Sequence, residues 1–254
     1  MARSVNEREY ALKRNQILDV TQRLIYTKGY DQMAIQDILA DLQISKGAFY
    51  HYFDSKPALL EALIERMGQE ALDLIRPIVE DPNLPTLEKL QRFFNTAVRW
   101  KTARKAFMME VLHVWYADHN AIVRQKILVM WSRYTLQLIT SIFQQGIREG
   151  VLKIAYPDQV GAILLSIVQG VGDAFAELLL VEAPQGDELQ RAERLIAAYN
   201  DALERVLGAP AGSLRLMDSE SLREWFVVPS EALVAEAAAT PRTSELDAVG
   251  SASR

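Results

Sequence analysis

The stretch GYDQMAIQDILADLQISKGAFYHYFDSKPALLEAL, residues 29–63, decides the fold. Gly29 stands just after an apolar-periodic segment, where helices often end in a left-handed residue. Two short helical patterns follow, over Ile35–Leu42 and Lys46–Tyr52, with three residues between them. Ser45 is a residue type that caps helix N-termini. Three helices in this order, the last two joined by a very short turn, predict a helix-turn-helix.

The second short helix has the composition of a helix that reads DNA. In a helix-turn-helix it enters the major groove, and its first residues reach base edges. Lys46 can bind a phosphate or a guanine edge, and the small Gly47 and Ala48 permit close approach to the duplex. Side-chain donors suited to phosphates follow at Tyr50, His51 and Tyr52. These features predict double-stranded DNA as a partner.

The same stretch resembles the signature of the tetracycline-repressor (TetR) family of bacterial regulators. The resemblance rests on the aromatic residue after Gly29, the run Ser45-Lys46-Gly47, the pair Phe49-Tyr50, and Ser55-Lys56. It implies DNA contacts from Gln36, Ser45, Lys46, Gly47, Ala48, Tyr50, His51, Tyr52 and Lys56.

Two positions depart from the family pattern. Ala34 stands where the family usually has Thr or Ser at the start of the first short helix, and Leu42-Gln43 replaces its common Ala-Gly. We expect Ala34 to cost a helix cap or a phosphate contact, and hence affinity for a half-site, without changing the fold.

Helical periodicity continues through most of the remaining chain. Helices are predicted from a cap at Ser55 to about residue 76, and over about 86–102, 104–116, 120–149, 157–181 and 187–207. We therefore predict an all-α protein with an N-terminal helix-turn-helix domain, residues 1–54. A helical bundle for effector binding and dimerisation follows, residues 55–208. Residues 209–254 are rich in Ala, Ser and Pro and predict a partly disordered tail, in which Leu222, Trp225, Phe226, Val227 and Val228 could dock on the body or on a partner chain.

Two helices late in the body carry stripes that suit helix packing. After Pro157, small residues recur every four positions and permit close approach of another helix. In TetR-like proteins the last two major helices pair with their symmetry mates, so the resemblance implies an isologous homodimer face. The residues assigned to it are Ala162, Ser166, Gly170, Ala174, Leu195, Ile196, Tyr199 and Leu203. The alternative is that both stripes pack within one chain.

Large, adaptable side chains fill the middle helices. The resemblance implies that these helices enclose an apolar or aromatic effector, and such pockets are mostly apolar with few polar anchors. Candidate lining residues are Phe94, Trp100, Phe107, Met108, Glu110, Val111, His113, Trp131 and Tyr134. Core packing is the alternative for each aromatic residue taken singly. Glu110 and His113 lie one turn apart without a second such pair, so we predict no metal site.

Composition excludes several other classes of protein. The 254 residues contain no cysteine, and the P-loop, GxSxG, GxGxxG and HExxH motifs are missing. We expect no enzyme, no cofactor, no secretory signal and no membrane span, and a cytoplasmic location. The net charge is −5, but residues 1–56 hold eight Lys or Arg against seven Asp or Glu. DNA binding must therefore depend on the placement of a few cations rather than on a strongly basic surface.

These patterns together predict a homodimeric repressor that a small apolar or aromatic effector releases from a palindromic operator. One alternative is an effector-independent accessory DNA-binding protein regulated by a protein partner, with Trp225-Phe226 as the docking point. An enzyme on a helical bundle is a second, remote alternative.

Overall fold

A computed structural model describes residues 2–117, 120–181 and 185–226. Within these residues all regular secondary structure is helical. The helices are α1 Ala2–Lys28, α2 Ile35–Leu42, α3 Lys46–Tyr50, α4 Lys56–Glu80, α5 Thr86–Thr102, α6 Lys105–Tyr116, α7 Ala121–Glu149, α8 Val160–Leu179, α9 Glu188–Leu207 and α10 Ser219–Phe226. The all-α prediction is confirmed.

Helices α1–α3 form a compact unit, here called the head. Ile17, Leu18 and Ile25 on α1 are fully or almost fully buried, and so are Ile38 on α2 and Phe49 on α3. The same apolar cluster continues past the head. It includes the first half of α4 and three side chains from α5 and α6, namely Trp100, Phe107 and Val114. The corner between α5 and α6 is therefore connected to α4 through packed side chains.

The ends of α3 and α4 differ from the sequence prediction, and α8 is shorter than the predicted 157–181, since it spans Val160–Leu179. Helix α3 ends at Tyr50 rather than Tyr52, so His51 and Tyr52 lie in the turn that follows. Helix α4 does not stop near residue 76 but continues through Pro77 to Glu80. Pro77 is exposed on this helix, so a proline that the sequence placed in a linker is accommodated on the solvent side of the helix.

The lower body has its own apolar cluster, formed where α4, α5, α7, α8 and α9 converge. Its buried members include Leu90, Phe143, Leu164 and Leu203. Helices α7 and α8 approach closely at Gly161, where an added Cβ would lie 2.7 Å from Leu136 Cδ2. This cluster packs around the end of α4 that lies farthest from the head.

Residues 209–226, here called the C-terminal strap, are docked on the body. Gln91 Nε2 donates to the Arg215 carbonyl and Gln91 Oε1 accepts from its N–H, both at 2.9 Å. The buried Glu204 carboxylate accepts from the N–H groups of Gly212 and Leu214 at 2.9 and 2.8 Å. Body side chains thus satisfy the backbone of this part of the tail.

The end of the strap packs across α5, α6 and α8. Trp225 Nε1 donates to Thr102 Oγ1 at 2.9 Å, and Lys105 Nζ donates to the Glu224 carbonyl at 2.7 Å. Phe175 on α8 contacts both Trp225 and Phe226, with ring centroids 5.9 and 5.7 Å apart. Of the two docking possibilities, Leu222, Trp225 and Phe226 dock on their own chain. Val227 and Val228 lie outside the described residues.

Candidate nucleic-acid interface

The turn between α2 and α3 fixes the angle of the second helix. Gln43 adopts a left-handed backbone, with φ 50° and ψ 43°, and its N–H donates to the Leu39 carbonyl. Ile44 donates to the same carbonyl at 3.1 Å. The chain thus makes the tight turn at a position where the family commonly has glycine, and it does so with a residue whose Cβ disfavours that backbone.

Helix α3 is five residues long and depends on its cap and its core contacts. Ser45 Oγ accepts from the Ala48 N–H at 3.1 Å, as predicted for an N-cap. Phe49 is fully buried and contacts Phe53, with ring centroids 6.0 Å apart. Because Phe49 is fixed in the core, the face of α3 opposite to Phe49 is directed toward solvent.

The solvent face of the helix-turn-helix carries most of the predicted DNA contacts. Lys46, Gly47, Tyr50 and His51 are exposed, and so is Gln36 on α2; Ala48 and Tyr52 are half-buried. The Lys46 ammonium lies 5.9 Å from the centre of the Tyr50 ring. The structure therefore brings a cation, small residues and hydroxyl donors to one surface, which suits a phosphate backbone and base edges.

Helix α2 begins without a side-chain cap from Ala34, as expected. Asp37 compensates, because its Oδ2 accepts from the Ala34 N–H at 2.9 Å. Its Oδ1 accepts from Lys28 Nζ at 2.7 Å. The hydrogen bond from Lys28 and then the one from the Ala34 backbone lower the pKa of Asp37. The missing Thr or Ser is thus replaced by a carboxylate that ties α2 to the end of α1.

Lys56, at the start of α4, is held by the head itself. Its ammonium lies 4.3 Å from the centre of the Tyr30 ring and donates to the Asp31 carbonyl at 3.3 Å. Burial lowers the pKa of Lys56, and the nearby Asp31 opposes that shift. Lys56 therefore joins α4 to the turn after α1, a role that its position in the motif did not indicate.

Two residues of α1 border this surface and were missed by sequence reasoning. The Tyr10 ring contacts Tyr52 at 4.8 Å and His51 at 5.5 Å between centroids. The Arg14 guanidinium lies 5.2 Å from the centre of the Phe53 ring. Both residues precede the motif, and no local pattern relates them to positions about forty residues later.

The predicted effector residues fall into separate surroundings. Trp100 and Phe107 are buried in the cluster that joins head and body, and Met108 and Val111 pack against it. Phe94 belongs to the lower cluster.

The other predicted effector residues lie closer to the surface. Glu110 is half-buried, and His113 is exposed and bonded through Nδ1 to the Met109 carbonyl at 2.8 Å. Trp131 packs against Gly68 of α4, where an added Cβ would lie 1.5 Å from the indole. Tyr134 is exposed and borders an open surface hollow of about 580 Å³ on α7. In the described parts of the chain no group of three metal-ligating side chains occurs.

The predicted dimer residues divide between surface and core. Ala162 and Ser166 are exposed, and Gly170, Ala174, Leu195 and Tyr199 are half-buried. Ile196 and Leu203, in contrast, are buried within one chain. They pack in the clusters under α9, so they are core residues and are not available to a second copy.

Helix α8 stands out for apolar surface that the single chain leaves uncovered. An 18-residue window has a mean hydropathy of 1.6, and 11% of that window is buried. By length and composition alone, α8 meets the requirements of a membrane-spanning helix, and among the described helices it alone does so. Exposed apolar surface of this kind is typical of a surface that binds a partner or a membrane.

A short capped helix that projects polar residues from a three-helix head defines a helix-turn-helix DNA-binding regulator. Residues 17–63 match the family model described as "Bacterial regulatory proteins, tetR family". Over these residues the chain matches the DNA-binding part of the TetR family of bacterial transcriptional regulators. Members of this family are regulators and not enzymes.

Sequence relatives match this chain either over a short stretch at high identity or over a longer stretch at low identity. An uncharacterised HTH-type transcriptional regulator from Lactococcus lactis is 46% identical, but over 52 residues, which cover 20% of this chain and 26% of that protein. The HTH-type transcriptional repressor DhaR from Mycobacterium sp. is 21% identical over 157 residues, covering 62% of this chain and 79% of the relative. High identity is confined to short matches, and identity over the longer match is low.

Solved structures support the whole architecture at the level of the fold. A transcriptional regulator from Cytophaga hutchinsonii has a TM-score of 0.60 at 16% identity, covering 77% of this chain and 98% of that one. A TetR-family regulator from Pectobacterium atrosepticum has a TM-score of 0.57 at 19% identity, with 80% and 97% covered. The match therefore extends well beyond the head.

Proposed function

We propose that the chain is a homodimeric repressor that a small apolar or aromatic molecule releases from a palindromic operator in the cytoplasm. The observation that carries this proposal is the capped, five-residue α3, which presents Lys46, Tyr50 and His51 to solvent. One such helix reads few base pairs, so specificity over a genome requires two of them at a fixed spacing. A symmetric dimer supplies that spacing.

The second copy is proposed to cover the exposed face of α8. Ala162 and Ser166 lie on this face and permit close helix packing. Midway along the same helix, the Asp173 carboxylate accepts from the Tyr116 hydroxyl at 2.5 Å. A carboxylate at the middle of a helix is costly in a bilayer, which favours a protein partner over a membrane as the cover for α8.

The effector is proposed to bind beside Trp100. This side chain is buried in an apolar cluster, with the Arg104 guanidinium 4.5 Å from the centre of its ring, and its indole N–H has no acceptor among the described residues. A buried donor without a partner is costly, and a ligand that supplies one acceptor recovers that cost. An apolar or aromatic molecule with a single acceptor atom fits this environment.

Release from DNA is proposed to proceed through α4. This helix runs without interruption from Lys56, at the head, to Glu80 in the lower body. The cluster around Trp100 includes Leu63 and Met67 of the same helix. A ligand that binds one position of α4 more tightly than the other would shift the population of dimers between two head spacings.

DNA binding is tested by gel shift of the purified protein against its own upstream DNA and against duplexes selected from a random pool. Lys46→Ala is the variant, and the salt concentration is varied to count phosphate contacts. We expect a sequence-specific, salt-sensitive complex that Lys46→Ala weakens by about 1–3 kcal/mol if the contact is to a base. A folded dimer that selects no sequence would refute the proposal.

The dimer is tested by measuring the molecular mass of the Ser166→Arg variant in solution, and the Ser141→Arg variant is the matched control. Both serines are exposed on helices and bond their own helix carbonyls, at 3.0 and 2.8 Å. We expect Ser166→Arg to halve the mass and to weaken operator binding by about 100-fold or more, and Ser141→Arg to leave both unchanged. A wild-type monomer that sediments with lipid vesicles would instead assign α8 to a membrane.

The alternative of a protein-regulated accessory factor loses its proposed docking point. Leu222 and Trp225 are buried in their own chain, so a partner could reach them only after the strap detaches. Deletion of residues 227–254 leaves the docked strap intact and should leave regulation unchanged.

A further inference from the structure

The surface around the end of α3 contains three aromatic rings in mutual contact. Tyr10 comes from α1, and His51 and Tyr52 come from the turn after α3. Ring centroids are 4.8 Å apart for Tyr10 and Tyr52, 5.5 Å for Tyr10 and His51, and 5.2 Å for His51 and Tyr52. Each ring therefore touches the other two.

The position of this triad matters because α3 ends at Tyr50. The N–H groups of His51 and Tyr52 still donate to the Gly47 and Phe49 carbonyls, at 3.2 and 2.9 Å, but the His51 side chain is exposed. A side chain that must meet a phosphate with defined geometry loses affinity if it has to be ordered on binding. The ring from α1 restricts both residues before DNA arrives.

We propose that Tyr10 is a positioning residue of the DNA interface, which holds Tyr52 and His51 in the geometry that contacts the phosphate backbone. The inference rests on the proposed DNA-binding surface and extends it onto α1. Arg14 lies one turn further along α1, and its guanidinium packs over the Phe53 ring. The same face of α1 therefore contacts the residues just after α3 at two places. Tyr10 acts through its ring rather than through its hydroxyl.

Helix α1 offers a matched control. Tyr26 has nearly the same exposed fraction as Tyr10, 36% against 37%. Its ring packs on Phe107 of α6, with centroids 4.9 Å apart, away from α3. Tyr26→Ala therefore removes an equivalent packed ring from the same helix without changing the triad.

The test compares Tyr10→Ala, Tyr10→Phe and Tyr26→Ala on two duplexes. One is selected by the wild-type protein from a random pool, and the other has mixed sequence. We expect Tyr10→Ala to weaken the selected complex by about 3–10-fold, since aromatic pairs contribute on this scale. The slope of log K against log salt should become shallower by about one phosphate contact. Tyr10→Phe should stay within about twofold of wild type, and Tyr26→Ala should bind normally.

A second measurement needs no DNA. The ring currents of Tyr10 act on His51, so the His51 Hε1 resonance of the free protein should move in Tyr10→Ala and stay in place in Tyr26→Ala. A wild-type protein that selects no duplex would refute the proposed function, while this resonance still tests the triad.

Three results would overturn the inference about Tyr10. The first is an unmoved His51 resonance. The second is a Tyr10→Ala protein with wild-type affinity and salt slope. The third is a Tyr10→Phe protein as weak as Tyr10→Ala, because the hydroxyl would then be the contact.

Discussion

Helices α3 and α8 differ in how much of their apolar surface one chain covers. Helix α3 has five residues, yet Phe49 is fully buried and Ser45 caps its first turn. Helix α8 has twenty residues and is far more apolar, yet only Val160, Gly161, Leu164 and Ala176 are buried, and the rest of the helix is half-buried or exposed. The packing of α3 is completed by its own chain, whereas α8 leaves apolar surface that, in the function proposed above, a second copy covers. Changes in the head and in the body should therefore have separable effects.

The largest effect is expected for Phe49→Ala. Removal of a fully buried ring should cost about 3–5 kcal/mol of stability and abolish specific DNA binding. The dimer should keep its mass, because α8 lies in another part of the molecule. Chemical denaturation and solution mass measure the two effects, and Tyr50→Ala, at the exposed neighbour, is the control for stability. Loss of the dimer together with the head would show that the two regions are not separable.

Trp225→Ala should cost about 3 kcal/mol, the lower end for a buried aromatic residue, because a terminal segment can detach without unfolding the body. We expect faster proteolysis within the strap and unchanged affinity for DNA. Trp225→Phe keeps the contact with Phe175 but loses the hydrogen bond to Thr102, so it should lower the stability less than Trp225→Ala does. Weakened DNA binding in either variant would connect the strap to the head and contradict the separation.

Gly68→Ala tests the contact that joins α4 to α7. The added methyl would overlap the Trp131 indole, and overpacking of this kind costs about 1–3 kcal/mol. Gly47→Ala is the control, because the nearest atom to its added Cβ is Ser45 Oγ at an ordinary contact distance of 3.9 Å. A Trp131→Leu change in the Gly68→Ala background should recover part of the loss, as measured by thermal unfolding. Equal stabilities for the two alanine variants would contradict the packing described.

The smallest effect is expected for Gln43→Gly, and its sign is positive. Gln43 has a φ of 50°, and a left-handed backbone costs about 1–2 kcal/mol for a residue with a Cβ. Glycine removes that cost at the expense of greater freedom in the unfolded chain, so we expect a net gain of about 1 kcal/mol or less. Denaturation of the head measures it. A loss of stability would mean that the Gln43 side chain makes a contact that outweighs the backbone cost.

Local signals predicted most of the helices and the outline of the DNA surface. Ser45 and Ser55 cap the helices they were expected to cap, and Gly150 and Gly208 end α7 and α9 in left-handed conformations. Such signals depend on residues a few positions apart, and the sequence displays them directly. The roles of individual residues in DNA, effector and dimer contacts stay predictions.

Long-range contacts were outside the reach of the sequence. Tyr10 meets Tyr52 across 42 positions, and Trp225 meets Thr102 across 123. Helical periodicity showed which residues share a helix face, but it could not show which faces pack against each other. It also placed Ile196 and Leu203 on the dimer stripe, because an apolar stripe looks the same whether it faces its own chain or another one. Only the packing of α9 against α8 distinguishes the two cases.

The strap has a consequence for how the C-terminal part of the chain can change over evolution. Gln91 and Glu204 bind its main chain, and so does Asn200, whose Oδ1 accepts from the Leu216 N–H at 2.9 Å. These bonds do not depend on the side chains of the strap, but Leu214 and Leu216 are buried in the lower apolar cluster, so Ser213 and Arg215 are the positions between 212 and 216 that can be exchanged with least penalty. A proline at position 214, 215 or 216 would remove a donor that each bond requires. Relatives that keep a strap should thus share these three body residues, together with apolar residues at positions 214 and 216.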